Sequence, residues 1–215
     1  DEDGSVFADP AKVFTGDPLD APVTGHTYFM GVDLAKSYDF TVAYVGDVND
    51  QRVVAMERFQ HLDYTVQIPK IVAMVKKWGV RVLHIDSRGS EGTIDFLRLA
   101  LMGTGCSIVP FYSTTEDKAN LISALVRDIE QGNITCLRSD TVGLKELQMF
   151  EAKVKNNVVK YGAPSGYHDD CVIALALLNL KMTKQKRFTQ PAQQRPYVSF
   201  GGNTLHVGPR RMRVR

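Results

Sequence analysis

The alternation of apolar and polar positions divides this chain into short β-type runs and longer helix-type runs. Residues 28–35 (Tyr-Phe-Met-Gly-Val-Asp-Leu-Ala) form a compact apolar run, read as a central strand. Residues 40–48 and 52–60 alternate β-branched and aromatic side chains around the turn Asn49-Asp50, which makes an antiparallel meander. Val66, Ile68, Ile71, Val72, Val75 and Trp78 approximate helical spacing. That helix would be capped by Asp63 or Thr65 and stopped by Gly79. Next come a strand over 81–85, a helix over 93–101 and a strand over 107–112. A longer helix starts near Thr115, with Thr115 or Asp117 as its cap, and stops at Gly132. The pattern then predicts a short strand over 134–137, a helix over 140–154 and a strand over 158–161. A strongly apolar helix over 169–182 closes the series.

Three strands in a meander followed by strand–helix crossovers imply an α/β fold. Its sheet is mixed, with the antiparallel meander joined to parallel strands and helices on both faces. Residues 1–26, rich in Asp, Pro, Gly and Thr, read as a linker or arm, and 27–184 as the folded domain. Residues 185–215 lose apolar periodicity and read as a basic, flexible tail.

Composition narrows the classes. No apolar run approaches the roughly 20 residues that a membrane-spanning helix needs. Cys106, Cys136 and Cys171 are too widely spaced for a zinc site and read as buried free thiols. The net charge of +2 is unevenly placed. Nine of the 26 basic residues and no acidic one lie between Lys181 and Arg215, leaving 17 basic against 24 acidic elsewhere. An acidic body with a basic tail suggests a polyanion or an acidic surface as partner of the tail.

Three stretches carry candidate chemistry: Gly31-Val32-Asp33-Leu34-Ala35, His84-Ile85-Asp86-Ser87-Arg88 and His168-Asp169-Asp170-Cys171. Each sets a carboxylate beside an apolar, element-forming run. Two lie at strand ends and one at a helix start. Converging carboxylates repel one another and lose hydration, and divalent cations relieve both costs. Of the third pair, Asp169 suits the helix cap and Asp170 the metal, although both could lie near it.

The order of these elements and aspartates resembles the ribonuclease H-like nucleases. Within them it most resembles the nuclease domain of the large terminase subunits of tailed bacteriophages. Gly31-Val32-Asp33-Leu34-Ala35, Ile85-Asp86-Ser87 and Gly166-Tyr167-His168-Asp169-Asp170 carry the likeness, which runs from about Tyr28 to Lys181. The resemblance implies a Mg2+- or Mn2+-dependent endonuclease with two ions. Asp33, Asp86 and Asp170 would be catalytic, and Asp33, Asp86, Asp169 and Asp170 would be the ligand set. Its substrate would be concatemeric double-stranded viral DNA, cut during packaging in the host cytoplasm. Its partners would be the portal protein and the small terminase subunit. The same likeness makes residues 1–26 the arm of an ATPase domain, for which no G-x-x-x-x-G-K-[ST] loop occurs here.

Lys36 and Arg88 adjoin proposed ligands, and Lys153, Lys155 and Lys160 stud a late hairpin; with His168 these are candidate DNA contacts. Two rival readings stand beside the terminase one. The first is a Holliday-junction resolvase or transposase-like nuclease of the same superfamily. The second is a non-catalytic module that docks on DNA or a portal, in which the aspartates only cap turns.

Overall fold

The computed structural model describes residues 4–35, 39–86, 91–112, 114–155 and 158–186. The meander is present as β2 (Tyr28–Asp33), β3 (Thr41–Asp47) and β4 (Arg52–Phe59), each antiparallel to the next. Strands β5 (Val82–Asp86) and β6 (Ser107–Phe111) follow through helical crossovers and pair parallel. The sheet order is β4-β3-β2-β5-β6, so β2 is central, with an antiparallel neighbour on one side and a parallel one on the other.

Side-chain alternation assigns the two faces. Met30 and Val32 of β2, with Leu83 and Ile85 of β5, pack against α1 (Tyr64–Trp78) and α2 (Glu91–Ala100). Phe29, Val42 and Tyr44 face the other way, toward α3 (Thr115–Glu130), α4 (Thr141–Met149) and α5 (Asp170–Lys186). Strand period fixes this partition: on any strand, residues i and i+2 share a face.

Helix ends follow local chemistry. Asp63 caps α1 by accepting from the Thr65 N–H at 3.1 Å, and Gly79 closes it in the left-handed conformation at φ 60°. The cap of α3 is Thr114, in place of the expected Thr115 or Asp117. Thr114 and Asp117 form a reciprocal capping box. Helix α5 is apolar on nearly every side because α3, α4 and the sheet surround it, and it continues to Lys186 rather than stopping at 182.

Two further expectations are corrected, and the N-terminal segment adds contacts to the domain. Phe7, Val13 and Phe14 are in the core, and β1 (Gly4–Ser5) pairs antiparallel with β7 (Glu151–Lys155). These anchors are few and irregularly spaced, so no periodicity announced them. Residues 151–155 form that strand instead of prolonging α4. Phe150 turns extended (ψ 128°), and β7 pairs with β8 (Val158–Gly162), so tertiary pairing overrides the helical propensity of Glu-Ala-Lys. Residues 134–137 make only isolated bridges, Arg52 to Thr135 and Gly16 to Leu137. No strand forms there because the segment's backbone bonds go to several different partners, among them Gln51, Val53 and Val13. Of the three thiols, Cys136 and Cys171 are buried, while Cys106 is half-buried.

Candidate metal centre

The site begins with a register. Gly31 pairs with His84 and Val32 with Ile85 across the parallel β2–β5 ladder. One step on, Asp33 and Asp86 end their strands on the same row, where neighbouring strands are about 4.8 Å apart. Alternation places Asp33 on the face of Gly31 and Asp86 on the face of His84. That face is occupied by α5: His84 Nδ1 donates to the Leu177 carbonyl at 2.9 Å, and Gly31 lies against Ala174 and Leu178.

Helix α5 runs antiparallel to β2. A Cβ on Gly31 would overlap the Ala174 carbonyl and the Leu178 amide nitrogen, while Gly46, lower on β3, lies against Leu178 and Met182. Going from Gly31 to Asp33 climbs about 6.6 Å. Going back four residues from Ala174 to Asp170 climbs about 6.0 Å on the helix. Asp170 therefore starts α5 toward the end of the sheet at which β2 and β5 finish in Asp33 and Asp86.

Asp170 is held by its surroundings. Its Oδ2 accepts the Phe40 N–H at 3.1 Å. Burial pushes its carboxyl up to about 6, opposed by that N–H and reinforced by the negative charges of Glu146, Asp39 and Asp169. His168 Nδ1 lies 3.6 Å from both Asp39 and Asp170, and donor atoms of all three lie within 4.8 Å of one another. The His168 ring stands edge-on to Phe40 at 5.2 Å, and the Arg58 guanidinium covers the Phe40 ring at 3.2 Å. Arg58 in turn pairs with Glu146 at 3.5 Å, and Glu146 Oε2 accepts the Cys171 N–H of the first turn of α5 at 2.7 Å. Glu146 thus satisfies a helix-start donor that no α5 residue reaches, and burial raises its own pKa.

The two aspartates of the third stretch diverge. Asp170 turns to the β2–β3 connection, whereas Asp169 turns to α3, where Lys118 Nζ reaches its Oδ2 at 3.1 Å. Asp39, which no motif marks, belongs to the cluster through His168. Lys118, Arg58 and Glu146 were not anticipated: no motif marks any of them, and only packing brings them here.

Of the basic candidates, Lys153 and Lys160 sit opposite one another on β7 and β8, so both project from one face of the ribbon. Lys160 is exposed and Lys153 lies beside Glu151. Gly162, at the end of β8, is adjacent to Asp169, so the hairpin springs from the rim of the site. Lys36 and Arg88 lie outside the described residues, as do the side chain of Lys155 and the tail from residue 187.

No protein-family model matches this sequence. The chain is 27% identical over 155 residues to the large terminase subunit of Thermus virus P23-45, matching 71% of this chain and 31% of that protein. The crystal structure of the large terminase nuclease from thermophilic phage G20c superposes with a TM-score of 0.73 at 22% identity, covering 82% of this chain and 98% of that one. The fold is that of a large terminase nuclease domain. The same G20c nuclease with bound magnesium superposes with a TM-score of 0.72 at 23% identity, covering 82% of this chain and 97% of that one. The chain spans about a third of the length of the curated relatives it matches. Within the terminase nuclease fold, the carboxylate edge described above is the candidate centre.

Proposed function

We propose that this chain is a divalent-metal-dependent endodeoxyribonuclease that hydrolyses double-stranded viral DNA during genome packaging. One observation supports the reading: the adjacent parallel strands β2 and β5 end in Asp33 and Asp86, and α5, which begins with Asp170, packs on Gly31 of β2. The donors are hard carboxylate oxygens, which suit Mg2+ or Mn2+. Asp170, buried among further carboxylates, is in an environment that a cation relieves. The magnesium bound in the G20c nuclease, a protein of the same fold, supports the assignment.

Asp33, Asp86 and Asp170 would hold such ions, which would supply Lewis acidity to water and positive charge toward the scissile phosphate. The residues of the chain do the rest. Asp33 and Asp86 stand on hydrogen-bonded strands and hold their positions without rearrangement. Phe40 fixes one oxygen of Asp170 through its backbone N–H. His168, seated on Phe40 beside Asp39, is placed to contact a phosphate. Lys153 and Lys160, on one face of the hairpin, and Lys36, Arg88 and Lys155 offer backbone contacts that orient the duplex without reading its sequence. The basic segment 185–215 adds a salt-sensitive contact to DNA or to a packaging partner. On this reading the chain works in the host cytoplasm beside the portal protein and the small terminase subunit.

Plasmid nicking in Mg2+ or Mn2+ tests the proposal. The wild-type chain is expected to nick. Asp33→Asn, Asp86→Asn and Asp170→Asn are each expected to lose about 100-fold or more, the scale seen when a group stabilising transition-state charge is removed. Equal nicking by the wild type and Asp33→Asn overturns the assignment.

A further inference from the structure

Lys118 is a cation in an unfavourable place. It sits in the first turn of α3, where the helix dipole favours anions and where Glu116 and Asp117 obey that preference. Its Nζ lies 3.1 Å from Asp169 Oδ2, and both side chains are mostly covered, at 21% and 29% exposure. Asp170, the first residue of α5, turns toward Phe40, and Asp169, just before the helix, turns toward α3 with Gly162 beside it.

From this geometry we infer that Lys118 is a positioning residue that withholds Asp169 from the metal centre, an inference resting on the nuclease reading above. Lys118 takes Asp169 as its counter-ion, so Asp170 alone of the adjacent pair faces the metal. The pair Lys118–Asp169 contributes no net charge to a site already crowded with carboxylates. Removing the lysine would leave an uncompensated anion beside Asp170. Removing Asp169 would leave an uncompensated cation. Neither change deletes a ligand.

Mn2+ titration by calorimetry on the full chain, with thermal unfolding as a check on folding, tests this. Lys118→Met is expected to bind Mn2+ about fivefold tighter, and Asp169→Asn about fivefold weaker. That is the scale of one unit charge acting on a divalent ion through a nearly water-like medium. The double variant Lys118→Met with Asp169→Asn is expected to return to the wild-type affinity, and Lys118→Arg to keep it. Asp170→Asn and Asp33→Asn are expected to lose measurable binding. Two results overturn the inference: an Asp169→Asn loss as deep as that of Asp170→Asn with no recovery in the double variant, or a Lys118→Met affinity equal to wild type. Wild-type Mn2+ affinity in Asp170→Asn and Asp33→Asn would instead overturn the metal centre itself, so the two failures are distinct.

Discussion

Gly31 of β2 lies directly against Ala174 of α5, with no room between strand and helix for even one methyl group. This contact sets the height of α5 on the sheet and with it the position of Asp170 relative to Asp33. Gly31→Ala is expected to push the helix off the strand. The cost should be about 3 kcal/mol, the upper range for overpacking, because the obstacle is backbone rather than a movable side chain. Urea denaturation measures the loss. Nicking should fall further than stability explains, since the carboxylates separate.

Tyr44 donates to Asp140 Oδ2 at 2.5 Å, deep in the core, while Asp140 Oδ1 accepts the Gly143 N–H at 2.8 Å as the cap of α4. Burial, with the neighbouring Asp140 charge, drives the Tyr44 hydroxyl well above its usual range, so it stays a donor. Tyr44→Phe leaves a buried carboxylate oxygen without that partner and should cost about 1–3 kcal/mol. Nicking at 25 °C should persist, because Tyr44 lies outside the carboxylate edge. A midpoint in urea equal to the wild type would contradict the pairing.

Arg58 acts as a flat strut. Its guanidinium covers Phe40, whose N–H holds Asp170, and it pairs with Glu146, which holds the first turn of α5. Arg58→Ala should destabilise the fold by about 2 kcal/mol, losing both the stacked cation and the partner of a buried carboxylate. Arg58→Lys should recover little of the nicking rate, since an ammonium cannot stack and pair at once. Chemical denaturation together with nicking rates at saturating Mn2+ checks both parts.

His26 gives a pH dependence. Its Nδ1 donates to Asp47 at 2.6 Å, with Asp50 at 4.0 Å. The hydrogen bond to Asp47 raises its pKa above 6.5, against a smaller opposing effect of desolvation. A raised pKa means the folded state favours the protonated ring. Its stabilisation is complete below the unfolded value of about 6.5 and is lost as pH rises through the folded value. The melting temperature of the wild type should therefore exceed that of His26→Asn at pH 6, and the gap should narrow toward pH 9. A constant gap across that range would show that the ring acts as a neutral donor throughout.

The meander and the two parallel strands were legible because each is a short run bounded by turn residues, and period-two alternation survives burial. Residues 151–155 were misread because Glu-Ala-Lys carries helical propensity, and only pairing with β8 makes it extended. The packed N-terminal segment was hidden for a related reason: Phe7, Val13 and Phe14 are anchored one by one, without a period. In the site, Asp33, Asp86, Asp169 and Asp170 stood out through their position at element ends. Asp39 did not, since its neighbours in the cluster lie some 130 residues away.

By itself the sequence determined the order of the five-stranded sheet's elements, the α/β class and the four candidate aspartates, because these depend on local pattern and on residue type. The tertiary structure alone decided which of Asp169 and Asp170 turns toward the strands, and which cation faces the other. Those outcomes depend on the height of α5 against Gly31 and on the reach of Lys118 from a different helix. Both are through-space relationships between segments far apart in the chain, and no local pattern encodes them.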